Sequence, residues 1–475
     1  MDNIIVGLDI GTTKIACFIG QRAENGKLRI LGYGKTESIG VERGVVRNVT
    51  ETANSIRKVV AEASNQAGVE VEEVYVGIAG QHIKSLQNHG SIMVPQEHKL
   101  ITQEDVNRLE EEQNRIMLQP GERIVHIIPQ VYIVDNEELS SDMSPVGVAG
   151  KCLAAKFHIV TCNSDNLHNI YHSVEAAGLK AKRVVLEPIA SSYAVLNDLD
   201  RDAGVALVDI GGGTTDVAIF TEGIIRHTSV IPLAGNAITE DIRKGCSIIK
   251  SQAESLKVKF GSCLPSLESN DDVISIPGLR NQPPREISMK TLAGIIKARL
   301  QVILEQVSYE IERSGFNNQL LAGIVLTGGG AKMGHIVELS ELITRTTSRI
   351  GTPDEHLEKS DEELSHPMYA TGIGLVLYGL ELEENEATGT QDDSENDAFG
   401  DDIFKSMGMQ QAPSAPHEAT PVDTIPTPNT ETADADKSVT NKKGGKDKNG
   451  KRRRSLFDII NNRLNQMLTE DIDPE

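Results

Sequence analysis

The sequence predicts an α/β chain of two similar domains that face one another, and three observations predict it. Gly204–Phe220 reads GVALVDIGGGTTDVAIF. Ile4–Gly20 reads IIVGLDIGTTKIACFIG, the same plan in another copy. A third extended stretch follows each copy, Leu28–Gly32 after the first and Ile224–Pro232 after the second. In both, an apolar run suited to a buried strand ends in an acid, turns through glycine and threonine, and returns as a strand. The copies lie 200 positions apart, from Asp9 to Asp209. That period is far too long for a solenoid and indicates a duplicated domain.

The turns have a chemistry of their own. Gly211, Gly212 and Gly213 allow positive φ and carry no side chain to hold a large ligand away. Successive backbone N–H groups in such a turn can form an anion-binding nest, to which Thr214 and Thr215 add hydroxyl donors. Gly11, Thr12 and Thr13 play the same part in the first copy, and Lys14 adds a point charge for phosphates. Asp9 and Asp209 end their strands where they can hold the water shell of Mg²⁺, an ion that favours oxygen ligands and keeps its waters. The pair reads as a triphosphate–magnesium cradle. Either turn alone is also compatible with an ordinary tight hairpin.

The remaining elements follow in order. Thr50–Gly68 is a helix, with Thr50 as cap, apolar residues at Ala53, Ile56, Val59, Val60 and Ala63, and a closing glycine. Val74–Ala79 is a strand. Ser85–Thr161 behaves as an inserted unit, with strands at Ser91–Pro95, Arg123–Asp135 and Lys156–Thr161. Its charged helix, Thr102–Leu118, is capped by Thr102 with Asp105 three residues on. His126 lies in an apolar strand and reads as packed or hydrogen-bonded rather than as a metal ligand. Asn163–Gly178 is a helix, Arg183–Leu186 a strand and Pro188–Asn197 a helix, with Glu187 just before it. Gly235–Gly261 is helical and Asp271–Ile287 irregular. Ser288–Ser314 is a long helix with a basic face of Lys290, Lys297 and Arg299. Ile324–Leu326 is a strand that runs into Gly328-Gly329-Gly330-Ala331 and then a helix. Met333 stands where the last glycine of a Rossmann fingerprint would fall. His366–Leu382 is an apolar helix expected to pack back on the first domain.

These segments resemble the FtsA family of the actin-like ATPase superfamily, in its order. The resemblance is carried by VYVGIAGQHIKS (Val74–Ser85), HIIPQVYIVD (His126–Asp135), PVGVAGKCLAAKFHIVT (Pro145–Thr161), LEPIASSYAVL (Leu186–Leu196) and the second hairpin. It covers about Met1 to Leu382 and departs at Val148 and in a long tail, neither of which touches the nucleotide motifs. It implies an actin-like two-domain ATPase fold of duplicated ribonuclease-H-like domains, with ATP and Mg²⁺ between them. The first domain takes residues 1–84, 163–203 and a return helix at 366–385. The second takes 204–238 and 309–365, with a small subdomain at 239–308 on the nucleotide side. The family's inserted subdomain is placed at 85–162 and serves contacts between subunits and with other division proteins.

The resemblance also implies residue roles. Glu187 is a candidate water-positioner or general base. The alternative is a carboxylate that only favours a helix N-terminus. Glu254 and Lys257, three apart on one helical face, are implied to reach ribose and adenine, or else form a surface ion pair. Gly328–Ala331 fits the adenosine motif. The subdomain at 239–308 is implied to receive the acidic tail peptide of the tubulin-like FtsZ, with Lys297 and Arg299 as contacts.

Composition narrows the class. The 475 residues carry a net charge of −22, no tryptophan and 3% aromatic content, which argues against nucleic-acid binding. Cys17, Cys152, Cys162, Cys246 and Cys263 are scattered and read as small buried hydrophobes in a reducing compartment. No signal peptide or spanning segment is visible, so a cytoplasmic protein is expected. Twelve acids stand against Lys405 between Glu386 and Asp436, among five prolines. Nine Lys/Arg and one acid follow up to Arg454. The linker 386–454 is expected to be disordered. Gly445–Lys451 mimics a P-loop but lacks the following Ser/Thr and a preceding strand.

Residues 455–470 predict an amphipathic helix. Leu456, Phe457, Ile459, Ile460, Leu464, Met467 and Leu468 share one face, behind the basic Lys451, Arg452, Arg453 and Arg454. This suits an anionic membrane surface, or alternatively docking on a protein. The function expected is a peripheral adaptor of bacterial division. It would bind ATP with at most slow turnover, polymerise, and tether the FtsZ ring to the cytoplasmic face of the membrane at the septum. The rival readings are a small-molecule kinase of the superfamily and a DnaK-like ATPase.

Overall fold

The computed structural model describes residues 3–95, 100–141, 143–269, 272–278, 283–358 and 363–388. The acidic and basic linker and the terminal helix, including Lys451–Arg454 and Leu456–Leu468, lie outside the described residues. So does any expected order or disorder of that tail.

The chain opens with β1 (Ile4–Ile10), β2 (Lys14–Arg22) and β3 (Leu28–Glu37), an antiparallel meander. A short hairpin of β4 (Val41–Glu42) and β5 (Val45–Val46) leads into α1 (Val49–Ala67). Asn48, not Thr50, caps α1, accepting the Glu51 N–H at 3.2 Å. Gly68 ends it in the left-handed region at φ 69°, as the closing glycine predicts. The strand β6 (Glu73–Ile78) then pairs parallel with β1.

The inserted unit comprises β7 (Lys84–Met93), α2 (Gln103–Gln113), β8 (Glu122–Val134), β9 (Glu137–Glu138) and β10 (Cys152–Asn163). They form a sheet in the order β7-β10-β8-β9. Thr102 and Asp105 make the expected capping box. The helix stops at Gln113, short of Leu118, and β7 begins seven residues before Ser91 because its whole length pairs with β10.

The first sheet is completed through α3 (Ser164–Ala176) and β11 (Lys180–Leu186), followed by α4 (Glu187–Val195) and α5 (Asp198–Ala203). The second lobe starts with β12 (Val205–Ile210), β13 (Thr215–Thr221) and β14 (Ile224–Ile231). Next come α6 (Gly235–Cys246) and α7 (Lys250–Phe260). The expected single helix breaks between them at Ser247, whose φ is 50°. The stretch expected to be irregular holds a hairpin of β15 (Val273–Ile276) and β16 (Arg285–Ser288). The described residues close with α8 (Met289–Ser314), β17 (Gly323–Thr327), α9 (Ile336–Thr344), β18 (Ser348–Ile350) and α10 (Ala370–Thr388).

The two large sheets have one topology. Read from the meander, they run β3-β2-β1-β6-β11 and β14-β13-β12-β17-β18, with the last two strands parallel to the first in each. That is the predicted duplication. The helix α10 returns to the first lobe, where Leu375 and Val376 close on Gly7. It continues six residues past Leu382, held by a bidentate Arg22–Glu384 pair at 3.0 and 2.9 Å. The five cysteines form no disulfide; Cys17, Cys162, Cys246 and Cys263 are buried as expected, whereas Cys152 is only half-buried, and burial pushes the Cys17, Cys162 and Cys263 thiols up to about 12. Among the described residues no helix is long and apolar enough to cross a membrane.

Candidate functional site

The two glycine hairpins meet tip to tip between the lobes. The Gly44 N–H donates to Thr12 Oγ1 at 2.9 Å, fixing the first tip against the β4–β5 turn. A Cβ on Gly212 would overlap Thr13 Oγ1, and one on Gly213 would lie 2.5 Å from Thr12 Oγ1. None of Gly11, Gly211, Gly212 and Gly213 has positive φ. The expectation of left-handed turns is therefore corrected. At Gly212 and Gly213 glycine is required by the approach of the opposite hairpin, not by backbone conformation, whereas a Cβ on Gly11 or Gly211 would meet its own hairpin, at Lys14 O and Thr214 O.

Behind the tips four carboxylates gather. Asp9, Asp209 and Asp216 are 5%, 7% and 3% exposed, and Glu187 opens α4 beside them. Asp209 and Asp216 stand directly opposite one another across the β12–β13 ladder, an arrangement that is destabilising for like charges. Lys14 Nζ is 2.7 Å from Asp9 Oδ2. Asp209 Oδ2 accepts from Ser191 Oγ at 2.8 Å and from Thr371 Oγ1 at 3.3 Å. Asp216 Oδ2 accepts from Thr214 Oγ1 at 3.1 Å, while its buried Oδ1 has no hydrogen-bond partner. Burial, followed by repulsion from Asp209, pushes Asp216 up to about 8. Burial and then the charges of Asp9, Asp216 and Asp209 push Glu187 well above the usual carboxylate range. Burial also raises Asp209, against the hydrogen bond from Ser191.

This donor set fits a divalent cation. Three buried aspartates and the half-buried Glu187 repel one another, and one oxygen is orphaned. Among the described residues no three His, Cys, Asp or Glu converge closely enough to chelate a metal directly.

The second lobe assembles the rest. The Gly235 and Asn236 N–H groups at the start of α6 donate to Gly211 O and Gly212 O at 3.1 and 2.8 Å. Lys257 Nζ bonds Gly235 O at 3.1 Å and Thr239 Oγ1 at 2.9 Å, and lies 2.9 Å from Glu254 Oε2. This pair is thus knitted to the base of the second hairpin, and Lys257 is only 13% exposed. Gly328 sits at φ 81°, and Gly329 has open space where a side chain would be. The turn continues as a 3₁₀ segment over Gly329–Lys332, and α9 starts only at Ile336, so the expected immediate helix is corrected. The Met333–Gly334 corner blocks it by packing on Gly261 at the end of α7.

A cavity of about 870 Å³ opens beside Lys14, lined also by Lys35, Lys332, Glu363, His366 and Tyr369. Its volume is within the range of small-molecule sites. Its three lysines face the carboxylates Glu37 and Glu363, with Lys14 paired to Asp9 and Lys35 to Glu363. Lys35 comes beside Lys14 through the pairing of β2 with β3, and Tyr369 through the return of the chain at Pro367 to Thr327 and Gly328; neither carries a sequence signal of its own.

Lys297 and Arg299 are not brought together. Two residues apart on a helix, they face different ways. Arg299 is 15% exposed and bound to Asp241 of α6 at 2.5 and 3.1 Å. Its place in an open basic face is corrected. Lys290 and Lys297, seven apart, share a stripe on α8.

The family model described as "Cell division protein FtsA" matches residues 206–374, and "SHS2 domain inserted in FTSA" matches 80–161. "Hsp70 protein" matches 163–228, a stretch that includes the second hairpin. The cell division protein FtsA of Pseudomonas aeruginosa is 38% identical over 382 residues, covering 80% of this chain and 90% of the relative. That of Escherichia coli K12 is 35% identical over 389 residues, covering 80% and 91%. A solved "PilM-PilN type IV pilus biogenesis complex" chain aligns with a TM-score of 0.57 at 16% identity, over 79% of this chain and 98% of that one.

Proposed function

The chain belongs to the family of the cell division protein FtsA and has the actin-like ATPase fold, and from these we propose that it is an ATP-binding membrane adaptor of the division ring. The observation that carries the nucleotide part is the convergence of both hairpins on Lys14, three buried aspartates and the half-buried Glu187. ATP binds between the lobes in this reading. Gly11–Lys14 and Gly211–Thr215 hold its phosphates, Gly328–Ala331 flanks the adenosine, and Glu254 and Lys257 approach the ribose and base. Bound Mg²⁺ would neutralise phosphate charge and relieve the repulsion among the acids. Asp9 and Asp209 orient its waters. Glu187, with its carboxyl held above the usual range, suits the placing of an attacking water and the acceptance of its proton.

Nucleotide in the cleft sets the angle between lobes and so favours self-association into filaments. The tail supplies the membrane part. Each basic residue near an anionic surface contributes about 1 kcal/mol. Each large apolar side chain buried adds roughly 1.5–3 kcal/mol before ordering costs. In co-sedimentation with anionic vesicles in Mg-ATP, the full chain is expected to pellet and to be released by salt. A chain stopped at Gly450 should stay soluble. Equal pelleting of both would refute this role for the tail.

We further propose that the α8 stripe receives the acidic FtsZ tail peptide through Lys290 and Lys297, with Arg299 holding α8 to α6. Lys290→Glu combined with Lys297→Glu should weaken peptide binding by about tenfold, two exposed charge contacts reversed, measured by fluorescence anisotropy. Unchanged affinity would remove the stripe from the interface.

A further inference from the structure

The inserted unit is tied to both lobes by one strand. On β8, Gln130 Nε2 donates to Ile225 O and Arg226 O of the second lobe at 3.0 and 2.9 Å. Arg226 Nη1 returns a bond to Gln130 O at 2.7 Å. Neighbouring strands add to this seam. Ser85 Oγ of β7 donates to Thr228 O at 3.0 Å, and His158 Nε2 of β10 pairs with Thr228 Oγ1 at 2.9 Å.

Four residues before Gln130, the same strand touches the first lobe. The N–H of Leu186 donates to His126 Nε2 at 3.0 Å, and both residues are buried. Leu186 ends the edge strand β11 and is the residue from which α4 starts, with no side-chain cap. Glu187 is the first residue of that helix. The amide that sets the entry of α4, and with it the aim of Glu187, is thus held by a side chain from the insert. Because Nε2 accepts, the proton of the neutral ring sits on Nδ1. Burial and the nearby Arg183 charge push His126 down to about 3, so the ring keeps this acceptor at neutral pH.

We propose that His126 is a positioning residue for Glu187, and that Gln130 makes this positioning depend on where the second lobe sits. It rests on the reading of Glu187 as the water-positioning carboxylate. Rotation of the second lobe carries β14, pulls β8 through the Gln130–Arg226 seam, and loosens the Leu186 amide. Glu187 is aimed only while the lobes are closed. A partner that grips the insert acts on the same strand, and so on turnover.

The test is single-turnover hydrolysis of Mg-ATP by the full chain, with ATP affinity measured alongside. Glu187→Gln sets the reference for a lost water-positioner. His126→Leu should slow hydrolysis at least about tenfold, with ATP affinity within about twofold. His126→Gln, which keeps an acceptor, should recover most of the rate. The double variant His126→Leu/Glu187→Gln should be no slower than Glu187→Gln alone. If Glu187→Gln slows hydrolysis and His126→Leu does not, the positioning role is overturned and Glu187 stands. If Glu187→Gln changes nothing, the reading of Glu187 falls and the proposal with it. Equal loss of rate, ATP affinity and thermal stability in both His126 variants would show packing alone, and would also overturn it.

Discussion

Gly212→Asp is expected to weaken ATP binding by about 100-fold or more, a loss of about 2.7 kcal/mol. Two effects act together. The new Cβ overlaps Thr13 Oγ1 of the opposite hairpin, so Thr13 must turn away or the tips must part. Overpacking of this kind costs roughly 1–3 kcal/mol. The added carboxylate also places negative charge beside buried acids that already repel, where phosphates need a positive field. Gly329→Ala provides the contrast. Its Cβ meets nothing within 4 Å, so stability should be unchanged, while a purine approaching this turn would bind less tightly. Thermal melts and calorimetric titration with Mg-ATP separate the two. Tight ATP binding by Gly212→Asp would show that the phosphates lie elsewhere.

Asp216→Asn is expected to raise the stability of the nucleotide-free protein at pH 8 by about 2 kcal/mol, a discounted share of the linkage energy of a buried carboxyl. The sign follows from the direction of the shift. Asp216 is pushed up to about 8 in the folded chain, against about 3.9 when unfolded. Below pH 4 both states are protonated, and no penalty exists. As pH rises from 4 to 8 the unfolded chain releases a proton that the folded chain retains, so stability falls across that window. Asparagine has no such proton to retain or release. Urea unfolding at pH 5 and pH 8 in EDTA should show a smaller loss for the variant. Equal losses would mean that Asp216 ionises freely in the folded protein.

Much of this site is legible in the chain because its signals are local. An apolar run, an acid, glycines and threonines specify each hairpin within seventeen residues. Thr102 with Asp105 specifies a helix start in four, and the structure keeps it. What escapes depends on register or on distant returns of the chain. Asp216 matters because Ile210 pairs with Thr215, which sets Asp209 against Asp216. Ser191 and Thr371 join the site only when α4 and α10 pack beside β12. His126 reads in sequence as packed or hydrogen-bonded, and it is, but its partner lies 60 positions away. The failures in secondary structure have the same origin. Ser247 breaks a continuous helical pattern so that α7 can lay Lys257 on Gly235. The stretch around Pro277 forms a hairpin because Ile276 and Ile287 bury against the second lobe.

The decisive measurement is equilibrium binding of ATP to the full chain in Mg²⁺ and in EDTA, for the wild type, Asp9→Ala and Asp209→Ala. Mg²⁺ should tighten wild-type binding by about tenfold or more, and each variant should bind more weakly and lose most of that dependence. Wild-type affinity and an intact Mg²⁺ effect in both variants would contradict a nucleotide cleft built from the two hairpins and their acids.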